Sequence, residues 1–235
     1  MDIILVPGFW LDGSAWDDVV PHLAEAGHTP HPLTLPGMES RDADRSQVTL
    51  ADHVAAVVAA IDALPDDAEV ALAGHSASGG LVYAASDARP GRVAHVIYVD
   101  SGPLASGDAL NPDLPAELDE YPLPPWEGMD DASLRDLTES QLQAFRERAV
   151  PQPAGTVREP HALSDDRSRY TVPSTVIASE MSAETLRGLM AENHSFVAEL
   201  ARLDDYEIVD LPTGHWPMFT RPADLASAMV RALER

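Results

Sequence analysis

Glu69-Val-Ala-Leu-Ala-Gly74-His-Ser76-Ala-Ser78-Gly-Gly-Leu-Val-Tyr-Ala-Ala85 is the stretch whose reading decides the fold. Its first five residues are an apolar run of strand length, and its last seven are an alanine-rich helical pattern with two glycines that permit close packing. Ser76 stands between them, where a sharp strand-to-helix turn projects a hydroxyl at the carboxyl edge of a parallel sheet. Such a turn needs small residues two before and two after the serine. Gly74 meets that need fully, whereas Ser78 meets it only in size, because the usual pattern is G-x-S-x-G. A bare pentapeptide says little; its place between a strand and a helix carries the weight.

A serine nucleophile needs a base that takes its proton and later returns it, and imidazole titrates near working pH. Tyr206-Glu-Ile-Val-Asp-Leu211 reads as a strand, followed by Pro212-Thr-Gly-His215-Trp-Pro-Met218. His215 therefore falls in a loop after a late strand and before a last helix expected over Pro222 to Leu233. That position makes it the base.

With these residues in view, the chain resembles the α/β-hydrolases, and is similar to the branch of small esterases and hydroxynitrile lyases that begins almost directly with the oxyanion strand. The matching segments are Ile3-Ile-Leu-Val-Pro7-Gly8-Phe9-Trp10 with Trp16 downstream, Leu35-Pro36-Gly37, Gly74-His-Ser76 and Thr213-Gly-His215-Trp216, spread over nearly the whole chain. The resemblance implies a mostly parallel α/β sheet flanked by helices. It also implies an oxyanion hole made of two backbone amides, here those of Phe9 and Ala77. Pro7 stands where that family commonly has histidine, so a side-chain brace of this loop is missing, although the donors themselves are backbone groups.

The acid of the triad is where the chain departs most from the pattern. In the family it commonly follows the strand before the histidine strand, here Ser174-Thr-Val-Ile-Ala178, yet the next residues are Ser179-Glu180-Met181. Some relatives, certain haloalkane dehalogenases among them, place it one strand earlier, where His95-Val-Ile-Tyr-Val99 runs into Asp100. An aspartate at the end of a buried strand also needs a partner, because an isolated buried charge is costly. Asp100 is the expected acid and Glu180 the second candidate; Asp210 alternates with the apolar positions of its own strand.

Composition narrows the chemistry. The chain has 235 residues, 45% of them hydrophobic, which suffices for one substantial core. It has no cysteine and no lysine, all fifteen cationic residues being arginine. Disulfides, thiolate nucleophiles, Schiff bases and a P-loop lysine are excluded, and so is the lysine that holds cyanide in hydroxynitrile lyases of this fold. The net charge of −24 disfavours nucleic acid and anionic membranes. No apolar run reaches the ~20 residues of a membrane span, and Met1-Asp2 leads straight into strand residues without a signal-peptide pattern, so a cytoplasmic location is expected. No histidine or acidic grouping has metal-site spacing, and neither metal nor cofactor is expected.

Ser14 to Asp17 offers a capping pattern for a helix ending at Gly27. Thr49-Leu-Ala-Asp52 does the same for a helix through Leu64, and Thr138-x-x-Gln141 for one over Glu139 to Val150. Residues 29–36, with three prolines, suit an edge strand. The expected organisation is a single α/β-hydrolase domain, with its core at about 1–101 and 171–235 and a proline-rich cap at about 102–170. Leu110, Tyr121, Leu123, Trp126 and Met129 are the cap residues expected to face the pocket. Trp10, Trp126 and Trp216 are the expected substrate contacts for a small, neutral, fairly apolar ester or lactone. The expected function is a serine esterase acting through an acyl-enzyme. The alternatives are a lyase or carbon–carbon hydrolase on the same residues, or a non-catalytic binding protein of this fold.

Overall fold

A computed structural model describes all 235 residues. In chain order its first half comprises β1 (Asp2–Val6), α1 (Val20–Glu25), β2 (Thr29–Pro32), α2 (Leu50–Asp62), β3 (Val70–His75), α3 (Ser78–Ala88) and β4 (Val93–Val99). An excursion follows, with β5 (Glu120–Tyr121), α4 (Asp131–Leu134), α5 (Glu139–Arg148), β6 (Gln152–Pro153) and α6 (Ala154–Arg158). The chain then returns to the sheet through β7 (Ser174–Ala178), α7 (Ala183–Ala191), β8 (Tyr206–Asp210), α8 (Pro217–Thr220) and α9 (Pro222–Leu233).

Six strands form one parallel sheet in the order β2-β1-β3-β4-β7-β8. The two short strands of the excursion pair with each other, antiparallel. Every residue of β3 is buried, as expected for a central strand covered by helices on both faces. Alternate residues of β1, β3, β4 and β7 feed separate cores. Ile4, Val6, Leu72, Val96, Tyr98 and Val176 pack under α2, α3 and α7. Ile3, Leu5, Ala71, Ala73, Ile97 and Ile177 pack under α1 and α9 on the opposite face. The helices thus clamp the sheet from both sides, and Ser76 and Asp100 emerge at its carboxyl edge, directly after β3 and β4.

Local signals account for the helix starts. Thr49 and Asp52 form a reciprocal capping box before α2, and Thr138 and Gln141 form another before α5. The first helix differs from expectation. Asp12, not Ser14, is the cap; its carboxylate accepts from the Ser14 amide at 2.8 Å, and only a 3₁₀ turn follows over Gly13–Trp16. Pro21 lies in the first turn of α1, where its missing N–H is harmless, so the helix restarts there instead of running on from residue 14. The edge strand is shorter than 29–36, ending at Pro32.

Candidate active site

Ser76 has φ +53°, a left-handed conformation that an L-residue holds only when its surroundings compel it. The surroundings are tight. A Cβ on Gly74 would lie 2.5 Å from the Ser78 carbonyl oxygen and 2.8 Å from Val82. The Ser76 amide donates to the Val99 carbonyl of β4 at 3.1 Å, and the Ser101 hydroxyl donates to the Ser76 carbonyl. Two other site residues are held in the same unusual region, Trp10 at φ +65° and Asp100 at φ +43°.

His215 reaches Ser76 from the loop after β8. Its Nε2 lies 2.7 Å from Ser76 Oγ, and its Nδ1 lies 2.6 Å from Asp100 Oδ2. The other oxygen of Asp100 accepts from the amides of Ser179 and Glu180 at 3.0 and 2.9 Å. Burial pushes the Asp100 carboxyl up, but the His215 hydrogen bond and charge and those two amides outweigh it, so the group stays below the ordinary carboxylate range. It is ionised at neutral pH. Glu180 comes no closer than 3.7 Å to His215 Nδ1, and its carboxylate accepts from the Ser133 hydroxyl at 2.8 Å. Asp210 is remote in role, accepting from the Ala183 amide at the start of α7 at 2.7 Å.

The histidine loop is fixed from three directions. Fully buried His75 donates from Nε2 to the His215 carbonyl at 2.7 Å, and burial drives the His75 pKa down to about 3, so the ring is neutral. The His215 amide donates to the Ser133 carbonyl at the end of α4 at 2.8 Å. Arg135 donates to the carbonyls of Thr213 and Ser179 at 2.5 and 3.1 Å, bridging the loops that leave β8 and β7. Gly214 permits this approach, since a Cβ there would lie 2.5 Å from the Ser133 carbonyl oxygen and collide with that of Arg135.

The amides of Phe9 and Ala77 have no hydrogen-bond partner in the chain. Two cavities meet at Ser76 and His215. The larger, of about 890 Å³, is bounded by Ala77, Leu104, Leu110, Met181 and Leu186 and runs out to exposed Phe196. The smaller, of about 300 Å³, is walled by Phe9, Trp10, Met129 and Trp216. Trp126 lines neither cavity. It packs at 5.5 Å on Phe145 and 6.5 Å on Trp216, with the Arg146 guanidinium over its ring. Tyr121 packs edge-on to Phe9 and beside Trp10 and accepts the Trp10 indole N–H at its carbonyl, while half-buried Leu123 packs against the core cluster that holds Phe145 and Trp216.

Asp100, Glu180 and His215 offer oxygen and nitrogen atoms within 4.8 Å of one another, the one such grouping that could be asked to hold a cation. Its donor set does not fit that role. Both ring nitrogens of His215 face hydrogen-bond partners, and Asp100 Oδ1 is taken by two amides. No helix is long and apolar enough to cross a membrane.

Comparison with known proteins gives the same architecture. A curated esterase from Nocardioides sp. (strain SG-4G) that hydrolyses carbendazim is 25% identical, over 97% of this chain and 98% of that one. An extracellular α/β-hydrolase from a Paenibacillus species, described as sharing structural and functional homology with tobacco salicylic acid binding protein 2, superposes with a TM-score of 0.77. It is 22% identical and covers 99% of this chain and 98% of its own. A methylesterase from Arabidopsis superposes with a TM-score of 0.77 at 17% identity, over 100% and 99% of the two chains. Residues 3–228, nearly the whole sheet with its excursion, match one family as a continuous unit, and the chain belongs to the alpha/beta hydrolase family.

Proposed function

We propose that the protein is a serine esterase that cleaves a small, neutral, fairly apolar carboxylic ester or lactone through an acyl-enzyme. The observation that carries this reading is the unbroken chain from Asp100 through His215 to Ser76, ending beside two unpaired amides. As Ser76 Oγ bonds to the substrate carbonyl carbon, its proton passes to His215 Nε2. The carbonyl oxygen becomes an oxyanion facing the Phe9 and Ala77 amides. Collapse breaks the carbon–oxygen bond of the ester, and His215 returns the proton to the departing alkoxide. Water, deprotonated by the same nitrogen, then releases the acid and restores Ser76. Asp100 stays ionised throughout, holding the tautomer that leaves Nε2 free to accept.

An ester has two sides, and two cavities of unequal size meet at Ser76, so we assign the larger half of the substrate to the 890 Å³ chamber. The segment 102–170 acts as the cap over both. The carbendazim-hydrolysing relative and the methylesterase neighbour support an esterase over a binding protein, and the lack of any lysine removes a cyanide-holding residue from the lyase alternative. The test is labelling with a fluorophosphonate, followed by chromogenic esters varied separately on the acyl and alcohol sides. Labelling confined to Ser76 and abolished in Ser76→Ala, with turnover, is expected. An unlabelled protein, or a Ser76→Ala variant that still hydrolyses esters, refutes the reading.

A further inference from the structure

The two sequence departures around the oxyanion hole meet in space. Pro7 has neither a side-chain hydrogen-bonding group nor an N–H, and Ser78 occupies a position where glycine is usual. Buried Ser78, 2% exposed, donates its hydroxyl to the Pro7 carbonyl at 2.5 Å. We propose that Ser78 is a positioning residue that sets the spacing of the two oxyanion donors. The proposal rests on the serine-esterase reading above.

The two donors lie on separate elements. Ala77 is the residue before Ser78 at the start of α3, and Phe9 is two residues after Pro7 in the loop that leaves β1. Between Pro7 and Phe9 stands only Gly8, whose backbone is permissive and cannot by itself orient the Phe9 amide. Gly8 is pressed onto the nucleophile turn, since a Cβ there would lie 2.6 Å from His75 Nδ1 and 2.9 Å from Ser76 Cβ. Contact sets how near the loop can come, but contact is not directional. The hydrogen bond is, and it joins the residue beside one donor to the residue two before the other.

The Ser78 end of the bond is itself closely packed. Gly74 packs against the Ser78 carbonyl, and a Cβ on Gly79 would meet Gly102 O at 2.5 Å. Ser78 touches neither reacting atoms nor substrate in this scheme. It acts through Phe9.

The experiment compares the wild-type protein with Ser78→Ala and Ser78→Gly; glycine restores the usual residue, so that variant guards against a folding failure. Each is measured for kcat and KM on one chromogenic ester, for the Ki of a trifluoromethyl ketone, which forms an oxyanion with the nucleophile, and for thermal midpoint. Misplacing one donor should lower kcat roughly tenfold to a hundredfold with KM within about threefold, and the trifluoromethyl ketone should weaken in parallel. A purely structural hydroxyl would lower the midpoint and leave kcat and the ketone Ki within about twofold, which overturns the proposal. A rise in KM alone would place Ser78 in substrate packing and overturn it too. If wild-type protein labels at Ser76 and turns over, those outcomes defeat this inference alone. If it does neither, the esterase reading and this inference fall together.

Discussion

Asp100→Asn is the substitution for which the structure makes the sharpest demand. Asp100 Oδ1 accepts two backbone amides at 3.0 and 2.9 Å, while Oδ2 faces His215 Nδ1 at 2.6 Å. An asparagine has one oxygen to serve both sides. Turning its NH₂ toward Ser179 and Glu180 would orphan two buried N–H donors, at about 1–3 kcal/mol each. The oxygen therefore stays with the amides and the NH₂ faces Nδ1, which must give up its hydrogen. The proton then sits on Nε2, and the imidazole donates to Ser76 Oγ when it needs to accept. The expected loss in kcat is about 10⁴-fold, the size known for this tautomer error in other triads, or about 5 kcal/mol of barrier. The fold should persist, because both amides keep an acceptor. Glu180→Gln is the control: its oxygen lies 3.7 Å from Nδ1, outside hydrogen-bond reach, and a glutamine oxygen can still accept from Ser133. It should cost less than about tenfold. Steady-state kinetics on a chromogenic ester, with a thermal melt of each variant, decides the matter. An Asp100→Asn enzyme within tenfold of wild type, or a larger loss in Glu180→Gln, refutes the assignment of the acid.

Gly214→Ala should reduce kcat by about a hundredfold or more, because a Cβ there drives α4 off the histidine loop; a kcat near wild type would mean that this segment yields freely. Acidification from pH 7 to 5 should lower the urea midpoint. His75 and His95 are held neutral by burial, with pKa values of about 3 and about 4, so the unfolded chain binds more protons across that window. Each can cost up to about 1.4 kcal/mol per pH unit below about 6.5, and a flat midpoint would contradict it. Phe145→Ala should destabilise by about 3–5 kcal/mol, since this 1% exposed ring packs at 5.1 Å on Trp216 and 5.6 Å on Phe219; a urea-unfolding loss under 1 kcal/mol would show that the cluster repacks.

The features readable from sequence were those whose cause is local. A buried strand, a turn that tolerates only small residues and a capping box each lie within a dozen residues, so β3, the sharp turn at Ser76 and the starts of α2 and α5 are legible. The approach of Asp100 and His215 to each other depends on strand ends: Asp100 comes directly after β4, and His215 lies in the loop after β8. The first helix was misread because two short-range signals competed, and Asp12 with Pro21 outweighed Ser14. Ser78 was seen as a size compromise only, since its partner Pro7 is 71 residues away. The contact between Glu180 and Ser133 spans 47 residues and has no periodic signature. Trp126 was expected at the substrate by its residue type, but apolar and aromatic character suits a stacking partner of Phe145 equally well.

The proposed placement of the acid at the end of β4 changes what the neighbouring strand can do. β4 lies between β3 and β7, so Asp100 stands beside the nucleophile strand on one side and the Ser179 and Glu180 amides on the other. The end of β7 then supplies donors to the acid instead of the acid itself. Its carboxylate, Glu180, is released to bind Ser133, and Ser133 also accepts the His215 amide. Arg135 completes the tie by bridging Ser179 and Thr213. The excursion between β4 and β7 is thereby fastened to the histidine loop through polar contacts at its α4 end, while apolar packing against Trp10 and Trp216 serves the other wall. It follows that any motion admitting substrate to the smaller cavity must either leave α4 in place or carry His215 with it. None of these bonds involves Phe196, so an opening of the larger chamber at that residue would break none of them.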